Sequence, residues 1–121
     1  MIYIVEDDRD VRESLRVLLE VHGYGVEEFE SGGDLLARGD LSHAACIIMD
    51  VHLPGESGLQ TLARLRNQSV TTPVFIVSGR VDENMRRESR RLNAAGCFEK
   101  PVQGTLLLDA IKAVREPPAS R

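Results

Sequence analysis

Short apolar runs alternate with segments of helical period along the whole of this chain. The runs at 2–6, 24–29, 45–49, 74–78 and 95–99 are bounded by polar or turn-forming residues and read as strands. Between the first two, Val11, Leu15, Leu18, Leu19 and His22 recur at helical spacing, which predicts a helix over about 8–22 with Gly23 as its stop. A short second helix follows Ser31, with Asp34 three residues on in the manner of a capping box. A third, 58–67, carries the stripe Leu59, Leu62 and Leu65. A fourth, 82–92, is very polar and ends at Asn93, where a left-handed residue is wanted. A fifth, 103–115, carries Leu107, Ala110, Ile111 and Val114.

A strand–helix unit repeated five times predicts an α/β fold: an open, doubly wound parallel sheet with helices on both faces and right-handed crossovers. The strands are nearly all apolar, as in a sheet buried on both sides. At 121 residues the chain is one domain. Residues 1–116 form it, and 117–121, with Pro117 and Pro118 barring a longer helix, are an end or the start of a linker. No internal repeat or low-complexity stretch is present.

Composition narrows the class. The chain is 42% apolar and 28% charged, with no apolar run long enough for a membrane span and no leader-like start. A cytoplasmic protein is expected. Cys46 and Cys97 lie in apolar strand contexts and read as small buried side chains rather than a disulfide or zinc ligands. The net charge of −4 hides an asymmetry. Residues 1–60 hold 13 acids against 4 bases, a balance of −9; residues 61–121 hold 6 against 11, a balance of +5. Two faces of opposite potential steer partners. Without interleaved aromatics or a binding motif, the bases do not indicate direct nucleic-acid binding.

The chemistry gathers at strand ends, where open α/β sheets place their ligands. Asp50 follows Cys46-Ile47-Ile48-Met49 and precedes a Pro/Gly turn. Glu6-Asp7 closes the first strand, Ser78 the fourth, and Lys100 follows the fifth. Each piece alone has an ordinary explanation, such as Asp7 or Asp8 capping the next helix. Together they are specific. Three crowded carboxylates repel, and a hard divalent cation, Mg²⁺ where phosphate also binds, relieves this. Lys100 supplies a point charge for Asp50 or phosphate. Ser78 offers a hydroxyl, and Gly79 leaves room for close approach. The inferred reaction is phosphoryl transfer onto a carboxylate.

Val5-Glu6-Asp7-Asp8, Asp50-x-x-Leu53-Pro54-x-x-x-Gly58, Ser78-Gly79 and Glu99-Lys100-Pro101, in this order and spacing, resemble the receiver domain of bacterial two-component response regulators over residues 1–116. The resemblance implies a flavodoxin-like sheet of five strands in the order 2-1-3-4-5, five helices and a cis Lys100–Pro101 bond. It implies that Asp50 accepts a phosphoryl group from a sensor histidine kinase or phosphotransfer protein. Asp7 and Asp50 would bind Mg²⁺ directly, Glu6 through water, and His52 through its backbone carbonyl. Ser78 would be the switch hydroxyl and Lys100 the phosphate partner. His52 and Arg80 would flank the path of attacking water and shield the phosphoaspartate. The output face would be the fourth helix, fifth strand and fifth helix, meeting an output domain or a second copy. In this chain the fourth helix carries Arg86, Arg87, Arg90 and Arg91, which read either as a solvated helix face or as a surface for an acidic partner.

Three positions depart from the family's usual pattern. Glu6 stands where Asp is frequent, and Ser78 where Thr is. Cys97 occupies the place of a switching Tyr or Phe, while Phe98 faces the opposite side of the strand. Two other readings therefore stand beside the switch. A pseudo-receiver would bind partners without phosphate. An aspartate-nucleophile phosphatase would want an acid at position 52, where this chain has His52.

Overall fold

The computed structural model describes residues 1–115; the expected tail or linker, 117–121, lies outside them. Five strands and five helices alternate: β1 (Ile2–Val5), α1 (Arg9–Val21), β2 (Val26–Phe29), α2 (Gly32–Ala37), β3 (Cys46–Asp50), α3 (Gly58–Asn67), β4 (Val74–Ser78), α4 (Glu83–Arg91), β5 (Gly96–Glu99) and α5 (Gly104–Arg115). The strands form one parallel sheet in the order β2-β1-β3-β4-β5. Elements fall where the periodicity puts them, within a residue or two at each end. Among the described residues no helix is long and apolar enough to cross a membrane.

The two-residue period of a strand sends alternate side chains to opposite faces. Tyr3, Val5, Ile47, Met49, Val74 and Ile76 pack with Leu35 of α2, Leu62 and Leu65 of α3, and Leu92 after α4. Ile2, Ile4, Cys46, Ile48, Phe75 and Val77 pack with Leu19 of α1 and Leu107 and Ile111 of α5. Full burial is confined to the three inner strands; β2 and β5, at the edges, are only partly buried. That corrects the expectation of a sheet covered on both sides throughout, because edge strands have a neighbour on one flank only.

Helix starts are fixed by side-chain caps. Asp8 accepts from the amides of Asp10 and Val11, and Asp82 from that of Met85. Ser31 caps α2 through the Asp34 amide, but the reciprocal capping box lies at α3 instead, between Ser57 and Gln60. The aspartate at position 34 is a shorter acid than the Glu or Gln such a box uses. Gly23 and Asn93 take the positive φ that closes α1 and α4.

Arg66 ties α3 to the end of α4. Its guanidinium donates to the carbonyls of Leu92, Asn93, Val70 and Thr72 at 2.8–3.0 Å. Arg66→Ala strands these acceptors and is expected to cost about 2–3 kcal/mol in urea unfolding. A loss below about 0.5 kcal/mol, the scale of an ordinary surface change, contradicts the clamp.

The two thiols differ, against the expectation that both are buried. Cys46 is fully buried, and burial pushes its pKa up to about 12. Cys97 is half-buried because β5 is an edge. A thiol reagent at mildly alkaline pH should therefore titrate one equivalent in the folded protein and the second only on unfolding. Equal rates for both would show that Cys46 is not sealed.

Candidate functional site

Parallel register brings the strand ends to one edge. Asp50 ends β3 opposite Val77, and Ser78 ends β4 opposite Glu99. Glu6 follows β1, its amide bonded to the Phe29 carbonyl at 3.0 Å. The Lys100 amide donates to the Ser78 carbonyl at 2.8 Å, fixing the end of β5 beside that of β4. The Lys100–Pro101 bond is cis.

The sheet edge thus gathers the acids that the sequence nominated. One carboxylate oxygen from each of Glu6, Asp7 and Asp50 lies within 4.8 Å of the others. Glu6 and Asp50 are 2% and 5% exposed, whereas Asp7 is open to solvent. Lys100 Nζ stands 2.8 Å from Glu6 Oε1 and 3.3 Å from Asp50 Oδ2. The ammonium bridges the two buried acids and lies closer to Glu6, a partner the sequence reading did not name for it. Glu6 Oε2 accepts from the Asp8 amide at 3.1 Å, and Asp50 Oδ1 from the His52 amide at 3.3 Å.

The charges tune one another. Burial raises the Glu6 carboxyl above its usual range, and the Lys100 hydrogen bond pulls it part of the way back. Burial pushes the Lys100 ammonium down, but Glu6 and Asp50 outweigh it and leave its pKa raised. Three carboxylates facing one ammonium retain an excess of negative charge. Oxygen donors of this kind suit a hard cation such as Mg²⁺.

The Ser78 hydroxyl is engaged with its own loop. Ser78 Oγ is buried, donates to the Arg80 carbonyl at 2.9 Å and accepts from the Arg80 amide at 3.3 Å. The side chains of His52 and Arg80 are exposed. Cys97 packs on the face of the sheet that holds Met85 and Ala94. Phe98 lies on the other face, its ring 5.9 Å from that of Phe75, as strand alternation predicts.

Beside the Lys100–Glu6 pair, two further contacts escaped the sequence reading. Glu99 Oε1 accepts from the Val81 amide at 3.0 Å and holds the β4–α4 loop. Arg12 Nη1 donates to the Glu6 carbonyl at 2.7 Å. The polar fourth helix is also less available than its composition suggests. Arg90 pairs with Glu83, Arg91 with Glu88, and Arg87 bonds Asn84, which leaves Arg86 of the four without a partner among the described residues.

The sequence profile of the response regulator receiver domain matches residues 2–112. The transcriptional regulatory protein FixJ of Azorhizobium caulinodans is 34% identical over 93% of this chain and 53% of its own length. The response regulator protein TodT of Pseudomonas putida is 34% identical over 93% of this chain and 50% of its own. The chain therefore spans about half the length of the curated relatives it matches. Among solved structures, the chemotaxis protein CheY4 of Vibrio cholerae superposes with a TM-score of 0.85 at 26% identity, over 93% of this chain and 96% of that one.

Proposed function

The chain belongs to the receiver domain family of bacterial two-component response regulators, and from that premise we propose that Asp50 is its phosphoacceptor. The observation that carries this reading is the buried Asp50 carboxylate, flanked by Glu6 and Asp7 and contacted by Lys100. A sensor histidine kinase or phosphotransfer protein would be the donor.

In this reading an Asp50 oxygen attacks phosphorus, the acyl–phosphate bond forms, and the bond to the donor's leaving group breaks with its electron pair. Asp7 and Asp50, with the backbone carbonyl of His52, would hold Mg²⁺, and Glu6 would reach it through water. Mg²⁺ would neutralise charge on the transferring group. The exposure of Asp7 suits direct ligation, and the engagement of Glu6 with Lys100 and the Asp8 amide suits a role at one remove. Lys100 would move from Glu6 and Asp50 onto the phosphoryl oxygens.

Ser78 would leave the Arg80 carbonyl to donate to the same group. That exchange frees the loop leading into α4 and would carry the signal to α4, β5 and α5, where an output domain or second copy binds. Cys97 offers no ring to reorient, so the coupling falls to Ser78 and residues 79–82. His52 and Arg80, both exposed beside the site, would shield the phosphoaspartate from water.

Intact-mass spectrometry after treatment with a small acyl phosphate tests the proposal. One added phosphoryl group is expected with Mg²⁺ and none in excess chelator. Labelling that ignores the chelator would refute the magnesium-dependent reaction. No labelling in either condition, with beryllofluoride also failing to perturb the amide spectrum, would leave a partner-binding module that works without phosphate.

A further inference from the structure

We propose that Arg12 is a positioning residue for the magnesium site, acting through the backbone of Glu6; the inference rests on the metal reading above. Arg12 lies on the first turn and a half of α1 and is only 12% exposed. Its guanidinium has two anchors on different elements. Nε donates to Glu28 Oε1 of β2 at 2.9 Å, and Nη1 donates to the Glu6 carbonyl at 2.7 Å. The carboxylate of Glu30 stands 3.9 Å from Nη2. Glu28 is in turn held by Arg16. The anchor is therefore a built network, in which a rigid fork spans from an edge strand to one carbonyl at the end of β1.

That carbonyl belongs to the peptide joining Glu6 to Asp7. Fixing its direction fixes the plane of that peptide and with it the Asp7 nitrogen and Cα, the point from which the Asp7 side chain leaves the backbone. The Glu6 amide is fixed on the other side by the Phe29 carbonyl. Asp7 itself sits in the open and makes no hydrogen bond among the described residues, so its aim toward Asp50 depends on its backbone. Removing groups that orient metal ligands typically weakens metal binding by about 10- to 100-fold.

The sign of the effect separates positioning from plain electrostatics. A guanidinium close to a cation site repels the cation, so deleting its charge alone would tighten Mg²⁺ binding. A role limited to global stability would leave the affinity of the folded protein unchanged. Positioning alone predicts weakening.

Calorimetric Mg²⁺ titration of the 121-residue chain and its variants decides the matter, with melts in chelator as the control for folding. Arg12→Ala is expected to bind Mg²⁺ about tenfold more weakly than the parent. Arg12→Lys keeps the charge but not the fork and is expected to lose several-fold. Glu28→Gln, which leaves Arg12 in place with a weaker anchor, should lose about twofold to threefold on the same scale. If Arg12→Ala does not fold, Arg12→Lys and Glu28→Gln carry the test. Parent-like or tighter binding by the folded Arg12 variants overturns the proposal. A parent that binds no Mg²⁺ overturns instead the metal reading on which it rests.

Discussion

Asp50→Asn is expected to lose all phosphoryl incorporation and yet to melt a few degrees above the parent in chelator. The loss of labelling follows if Asp50 is the only acceptor, since an amide oxygen cannot replace the carboxylate nucleophile. The gain in stability follows from the crowding of charge. Unit charges about 4 Å apart interact by about 4 kcal/mol at an effective dielectric constant of about 20. Asp50 is repelled by both Glu6 and Asp7 and attracted by Lys100, which retains Glu6 when Asp50 is neutral, and by the long hydrogen bond from the His52 amide. It also pays for desolvation, at 5% exposed.

The solvent at Asp7 screens part of the repulsion, so the net gain should be on the order of 1 kcal/mol, or roughly 3–5 °C in Tm. A thermal melt in chelator and intact-mass spectrometry of the same sample check both halves. An Asn variant that still takes up phosphate would place the acceptor elsewhere. One that melts below the parent would show that the Lys100–Asp50 pair outweighs the repulsion. Saturating Mg²⁺ should then raise the Tm of the parent more than that of the variant, because the parent supplies one more anionic ligand.

Gly58→Ala should be among the most damaging single-methyl changes in the chain. Alanine inside a helix ordinarily gains about 1 kcal/mol over glycine. Here a Cβ would stand 2.1 Å from the Asp50 carbonyl oxygen, 2.9 Å from its carbon and 3.1 Å from Val51 Cα. All three are backbone atoms, which no side-chain rotation can clear. The Gly58 amide also bonds the Val51 carbonyl at 2.9 Å, so α3 cannot retreat without losing that bond. The expected cost is about 3 kcal/mol, or roughly 10 °C in Tm. Because the clash falls on Asp50, phosphoryl uptake should drop with stability. Gly79→Ala is the matched control: nothing lies within 4 Å of its Cβ position, so its stability should change by no more than about 0.5 kcal/mol. Equal melts for the two variants would contradict the close approach of α3 to β3.

The difference between these glycines marks the boundary of what a sequence discloses. Both stand in the motifs that tie the chain to its family, and nothing in the letters tells which is fixed by contact and which by room for a ligand. Local patterning determined the order of elements, because a period of two or of nearly four residues is imposed by the backbone itself. The same patterning placed Phe98 opposite Cys97, and the strand-end positions of Glu6, Asp50, Ser78 and Lys100 follow from it.

Burial at the edges did not follow, since strand order depends on which strands become neighbours and not on any one run. The partners of the charges were likewise decided by the tertiary structure. Lys100 lies 94 residues from Glu6, and Arg12 is 16 residues from Glu28, so no local spacing announces either pair. Long side chains choose among acids by distance and exposure, which exist only once the sheet has assembled. The chain by itself therefore determined which groups meet at the sheet edge. Packing decided how they are held: an ammonium on Glu6, a hydroxyl turned to its own loop, and a guanidinium gripping the carbonyl between two acids.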